Sequence, residues 1–163
     1  MRNFNIIFLI AIAIAMAATA CQESVDSLVP SEIGEKVQQR IISGEEAAQV
    51  IDELHTFSVA KIKNIIAYYD DKNEDILYLT WYESAETAAE DLNTMITKMS
   101  SNEDSPFYHL MPLSSYDDKV YMTIGMGAIH YIYLSGKRVL WFQTHQSFGM
   151  ELPESLLSMY PVE

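Results

Sequence analysis

The chain has one cysteine, Cys21, and it stands where two stretches of opposite chemistry meet. Before it, Met1-Arg2-Asn3 gives a short positive start, residues 6–18 (IIFLIAIAIAMAA) form an uncharged apolar run, and Ala18-Thr19-Ala20 supply small side chains. Beyond it lie all 23 acidic residues. A positive start, a short apolar middle and a small-residue exit are the parts of a secretory signal, the small residues letting a peptidase grip extended backbone in a narrow cleft. Removing residues 1–20 leaves 143 of the 163 residues, the size of one domain, with no cysteine after the new first residue. No disulfide can then form within the folded part, so burial of apolar surface must hold it together.

The junction Ala18-Thr19-Ala20-Cys21 resembles the lipobox of bacterial lipoprotein precursors, with Thr19 and Ala20 at its small positions and Ala18 where Leu is usual. The resemblance covers residues 1–21. It implies that cleavage precedes Cys21, that the Cys21 thiol is diacylated, and that its new amino group is acylated too. Several acyl chains anchor a protein stably where one holds it only marginally. Gln22 stands after the cysteine. By the same resemblance, a residue other than Asp there implies the outer membrane of a two-membrane cell, or the outer face of a cell with one membrane. Two other readings stand beside this one. The first is a plain secretory signal followed by a free cysteine. The second is an uncleaved membrane helix, since residues 3–20 are uncharged and reach the lower edge of spanning length.

Without residues 1–20 the chain keeps nine basic and 23 acidic side chains, a formal charge of −14. Nucleic acids and anionic lipid surfaces are bound through basic patches, so this balance argues against both as partners. It serves solubility, and it suits a cationic partner equally well. Residues 22–34 (QESVDSLVPSEIG) are polar and broken by Pro30 and Gly34. They read as a tether. The organisation expected is a signal peptide over 1–20, a lipidated cysteine with tether over 21–42, and a single domain over 43–163.

Within that domain the periodicity predicts a helix over 44–55, capped by Ser43 with Glu46 three residues on, and carrying Ala47, Val50, Ile51 and Leu54 on one face. A second helix, over 85–99, has Ser84 as its cap and Ala85, Ala88, Ala89, Leu92, Ile96 and Met99 at helical spacing. Runs of branched and aromatic residues predict strands over 59–69, 76–83, 128–134 and 138–144, with a further one over either 107–113 or 119–124. Asp70–Asp75, Gly125-Met126-Gly127 and Ser135-Gly136-Lys137 supply turns. A short helix is expected over 153–159. The fold class is therefore α+β: an antiparallel sheet of about five strands in the order α-β-β-α-β-β-β, with both main helices on one face.

Compact catalytic signatures do not occur. There is no HExxH, CxxC, GxSxG, P-loop or dinucleotide fingerprint. An enzyme would need serine or carboxylate groups assembled from scattered positions, so the reading leans away from catalysis. Three elements remain as candidates. His55 at the end of the first helix and His130 beside the glycine turn, with Met126 as a soft third ligand, have the chemistry to hold a metal ion or haem iron. Against this, His55 suits a helix C-terminus and His130 suits a hydrogen-bonded strand position. Tyr78, Tyr82, Tyr121, Tyr131 and Tyr133 lie on expected strands, either as a binding face opposite the helices or as ordinary cross-strand pairs. Leu54-His55 and the run GMGAIHY from Gly125 to Tyr131 are also similar to a set of small, uncharacterised exported prokaryotic proteins, over roughly residues 43–144. That similarity implies no activity. The function expected is a lipid-anchored, non-enzymatic accessory or binding domain of the cell envelope. It would present a sheet face or the glycine-turn edge to an envelope protein or small ligand, with no resident cofactor. The alternative is a metal- or haem-binding lipoprotein.

Overall fold

Hairpin connections between branched, aromatic strands dictate an antiparallel sheet, and the computed structural model, which describes residues 24–54, 62–72 and 74–163, has one. Two short strands, β1 (Glu32–Ile33) and β2 (Lys36–Val37), form a small hairpin of their own. The main sheet contains β3 (Arg40–Ser43), β4 (Lys63–Tyr68), β5 (Ile76–Trp81), β6 (Phe107–Pro112), β7 (Val120–Gly125), β8 (Ala128–Ser135) and β9 (Arg138–Thr144). Its spatial order is β3-β4-β5-β9-β8-β7-β6, with every neighbouring pair antiparallel. Among the described residues three α-helices accompany it: α1 (Gly44–Leu54), α2 (Ala85–Ser101) and α3 (Glu154–Met159).

The α+β class stands, but among the described residues the main sheet has seven strands rather than five, a second sheet of two strands is present, and the helices number three. Two of the additional main-sheet strands have distinct physical causes. Arg40–Ser43 runs directly into α1, with Gly44 at φ +65° making the turn, so no loop signal separates strand from helix. Ser43, the expected cap, is the last residue of β3. Residues 107–112 and 120–125 both form strands instead of one or the other. Pro112 is tolerated because β6 is an edge strand.

Alternation assigns the two faces. Ile66, Tyr68, Ile76 and Tyr78 pack under Ala47 and Ile51 of α1. Tyr82, Ile132, Val139 and Trp141 pack under Ala88 and Leu92 of α2. The cross-strand register places Tyr78 opposite Trp141 and Thr80 opposite Val139, so both helices cover the same face. The small Ala47 and Ala88, both fully buried, let the helix backbones approach it closely. Ser84 caps α2, its Oγ accepting the Thr87 N–H at 3.2 Å.

The opposite face carries the larger core: Ile65, Ala67, Leu77, Leu79, Tyr131, Tyr133, Leu140 and Phe142. It is covered by the N-terminal and C-terminal stretches of the described residues. From the N-terminal side come Val25, Leu28, Val29 and Ile33; from the C-terminal side come Leu152, Leu156 and Tyr160. Residues 24–42 are therefore not a free tether: Val29 and Ile33 are buried, and this stretch forms part of the domain. Irregular backbone carries carbonyls that no ladder satisfies, and tyrosine hydroxyls satisfy them. Tyr69 donates to Pro30 O at 2.9 Å, Tyr160 to Leu28 O at 2.6 Å, Tyr131 to Gly149 O at 3.1 Å and Tyr133 to Tyr160 O at 3.2 Å. Lys36 adds an ion pair to the buried Asp75 at 3.6 Å.

Candidate binding edge at the glycine turn

The β7–β8 hairpin turns through two residues, Met126 (φ 51°) and Gly127 (φ 82°), between the paired Gly125 and Ala128. Two consecutive left-handed residues are what the right-handed twist of a two-residue hairpin demands. Glycine meets that demand freely, whereas methionine has neither its freedom nor a side chain able to hydrogen-bond locally. Met126 nevertheless holds this conformation with its side chain 69% exposed.

The turn is braced from beneath. The indole N–H of Trp141 donates to His130 Nδ1 at 2.8 Å, which makes Nδ1 an acceptor and puts the ring proton on Nε2. Nε2 in turn donates to Gly125 O at 2.9 Å. Phe107 closes the cluster, its ring edge-on to His130 at 5.1 Å and to Trp141 at 5.4 Å. Gly125 is required by space: a Cβ there would stand 2.4 Å from Phe107 Cδ1 and 2.7 Å from Pro106 O. His130 is 1% exposed. Burial is the main cause that pushes its pKa below the ordinary 6.5, with the Gly125 hydrogen bond acting the other way and nearby His145 assisting burial.

These contacts recast His130. Both of its ring nitrogens are engaged, so it positions the turn, and coordinating a metal would require breaking one of these bonds. His55 and Cys21 lie outside the described residues. Among the described residues there is no group of three or more His, Cys, Asp or Glu side chains able to hold a metal ion.

The five tyrosines do not form one face. Tyr131 and Tyr133 do lie opposite the helices, but both are fully buried beneath the terminal stretches. Tyr78, Tyr82 and Tyr121 lie on the helix side, with Tyr82 buried and the other two half-buried. The bare tyrosine platform is thus replaced by tyrosines that fasten the chain's ends. Burial raises the Tyr78 and Tyr82 hydroxyls to about 12 and pushes those of Tyr69 and Tyr133 higher still.

Three of the seven large apolar residues exposed among the described residues, Tyr108, Met111 and Met126, lie on the edge that the turn belongs to. Tyr108 is 54% exposed on β6 and lies opposite Ile124, two residues before Met126. Met111, also exposed, lies opposite Met122. Between them a bulge puts His109 at φ 56°, its ring edge-on to Tyr108 at 5.3 Å. Tyr108, His109 and Met111 escaped the sequence reading because Pro112 obscured the strand. The residue pair that signals the site is a methionine followed by a glycine in a two-residue turn.

A second concavity lies on the terminal-stretch side. It is an open groove of about 660 Å³, bordered by Glu32, Glu151 and Glu154 with Phe148, Leu152 and Pro153 between them. Its carboxylates suit a cationic group. No helix among the described residues is long and apolar enough to cross a membrane. Compared with protein-family models, curated proteins and solved structures, the chain matches none.

Proposed function

We propose that this chain is a lipid-anchored protein of the cell envelope, held by Cys21, whose folded domain is a non-catalytic binding module. It engages an envelope protein through the edge formed by the Met126 turn and strand β6. The observation that carries the binding surface is Met126, an exposed apolar side chain on left-handed backbone that the buried His130–Gly125 bond holds in place. Left-handed backbone at a non-glycine residue costs roughly 1–3 kcal/mol, and strain of this kind clusters at functional sites. The anchor is supported by the lipobox resemblance, which supplies the compartment.

The experiment is site-specific photo-crosslinking in cells. A benzophenone side chain is placed at Met126, and in a separate chain at Glu45 on the exposed side of α1. A discrete adduct from position 126 that Tyr108→Asp abolishes, with none from position 45, is the expected result. Equal adducts from both positions contradict the binding edge. A purified domain that turns over a substrate and loses that activity on point substitution contradicts the non-catalytic reading.

A further inference from the structure

The end of the sheet opposite the glycine turn has the reverse character. Lys63 pairs across the strands with Trp81, and Trp81 with Arg138, so the three stand in a row. Lys63 Nζ lies 5.1 Å from the centre of the Trp81 ring. The Arg138 guanidinium lies 5.9 Å from the Trp81 ring and 5.4 Å from that of Tyr160. Its Nη1 donates to Ser135 O, while its Nε, although buried, has no partner. Lys137 donates to Glu83 O at 2.8 Å. Among the described residues none of these three cations is ion-paired with a carboxylate, in a chain with a large acidic excess. Ile62, 62% exposed, adjoins them.

The N-terminal stretch of the described residues approaches this end through Leu28. Tyr160, under the Arg138 guanidinium, donates to Leu28 O, and Leu28 closes the short 3-10 turn Val25–Leu28 that follows Ser24. Three peptide links separate Ser24 from Cys21. They span at most roughly 11 Å, since consecutive Cα atoms are about 3.8 Å apart. With residues 24–42 packed on the domain, no long tether lets it roam from its anchor.

We infer that the end formed by Ile62, Lys63, Trp81, Lys137 and Arg138 is the surface that lies against the phospholipid headgroups. This rests on the lipid-anchor reading given above. The chemistry is that of a membrane interface: an indole with an apolar body and a polar edge, an exposed isoleucine, and cations for phosphate oxygens. Glu83, Glu86 and Glu163 belong to the same end, placed by the Lys137 bond to Glu83, by the field of Lys137 on Glu86 and by the Glu163 N–H bond to Leu134 O. Mixed charge matches a zwitterionic headgroup, phosphate to the cations and ammonium to the carboxylates. Strands of six to eight residues then hold the Met126 turn about 20 Å farther from the bilayer, where a partner meets it.

The test uses the full chain, processed in cells and reconstituted into nanodiscs of zwitterionic phospholipid carrying a headgroup quencher. With Cys21 acylated, a cysteine introduced by Ile62→Cys or by Met126→Cys is the only free thiol and takes an environment-sensitive fluorophore. Quenching several-fold stronger at position 62 than at position 126 is expected, together with its reduction in Lys63→Glu/Arg138→Glu. Urea midpoints of both labelled proteins establish that they are folded. Acylated protein with equal or reversed quenching overturns this orientation alone. Mass spectrometry showing an unacylated first residue overturns the anchor, and the orientation with it.

Discussion

Trp141 and His130 are joined by a 2.8 Å hydrogen bond from the indole N–H to Nδ1, and this contact fixes which histidine nitrogen holds the proton. The proton on Nε2 then reaches Gly125 O, so one buried relay runs from strand β9 to the turn that carries Met126. Trp141→Phe keeps the aromatic packing with Phe107 but leaves Nδ1 without its donor. A loss of about 1–3 kcal/mol is expected, because an unsatisfied buried acceptor costs its full desolvation. The urea midpoint of the variant against the parent measures it.

His130 also makes a pH prediction. Burial depresses its folded pKa below the 6.5 of the exposed ring. In the unfolded chain the ring therefore takes up a proton that the folded chain refuses, so stability falls as pH drops below about 6.5. Above that pH the contribution is fully present and constant. Urea midpoints at pH 7.5 and 5.5 should differ more in the parent than in His130→Gln, which has no titrating group at that position. An equal difference in both would refute the assignment.

Gly125 is constrained by contact with its neighbours. Gly125→Ala drives a methyl into Phe107 and the Pro106 carbonyl, and overpacking of this kind costs about 1–3 kcal/mol. Gly127→Ala meets no neighbour within 4 Å, and its cost comes from the φ of 82° alone. Thermal melts of the two variants should rank Gly125→Ala as the less stable.

The tyrosine hydroxyls fasten the chain's ends, which makes Tyr→Phe changes informative. Tyr69→Phe and Tyr160→Phe each remove one bond to the N-terminal stretch, at Pro30 O and Leu28 O, at an expected cost of about 1 kcal/mol each. Amide exchange should quicken over residues 24–37 while the centre of the sheet keeps its protection. Unchanged exchange in that stretch would show that the hydroxyls do not hold it.

The helices were the most readable part of the chain, because Ala88 and Leu92 follow helical spacing and Ser84 announces the start of α2. Strands 76–81 and 138–144 were nearly as plain, each being a branched or aromatic run between turn residues. Arg40–Ser43 was hidden because four residues joined directly to a helix show no period of their own. The fate of residues 24–37 could not be read either. Polar sequence with Pro30 and Gly34 looks like a tether whether or not tyrosines elsewhere capture its carbonyls, and those tyrosines are distant in the chain. The same reason explains why Tyr131 and Tyr133 suggested a bare face: alternation tells which side a residue faces, but not what covers it. His130 was marked by its glycine turn, yet its role depends on Trp141, eleven residues away.

The fate of the Cys21 thiol decides whether the domain is held at a membrane. Cells expressing the full chain are grown with labelled palmitate, and the protein is recovered with and without Cys21→Ser. Label in the parent chain, shortened by residues 1–20 and sedimenting with membranes, together with an unlabelled, full-length Cys21→Ser product, is the predicted result. A parent chain that never takes up label, or a serine variant processed and membrane-bound like the parent, contradicts it.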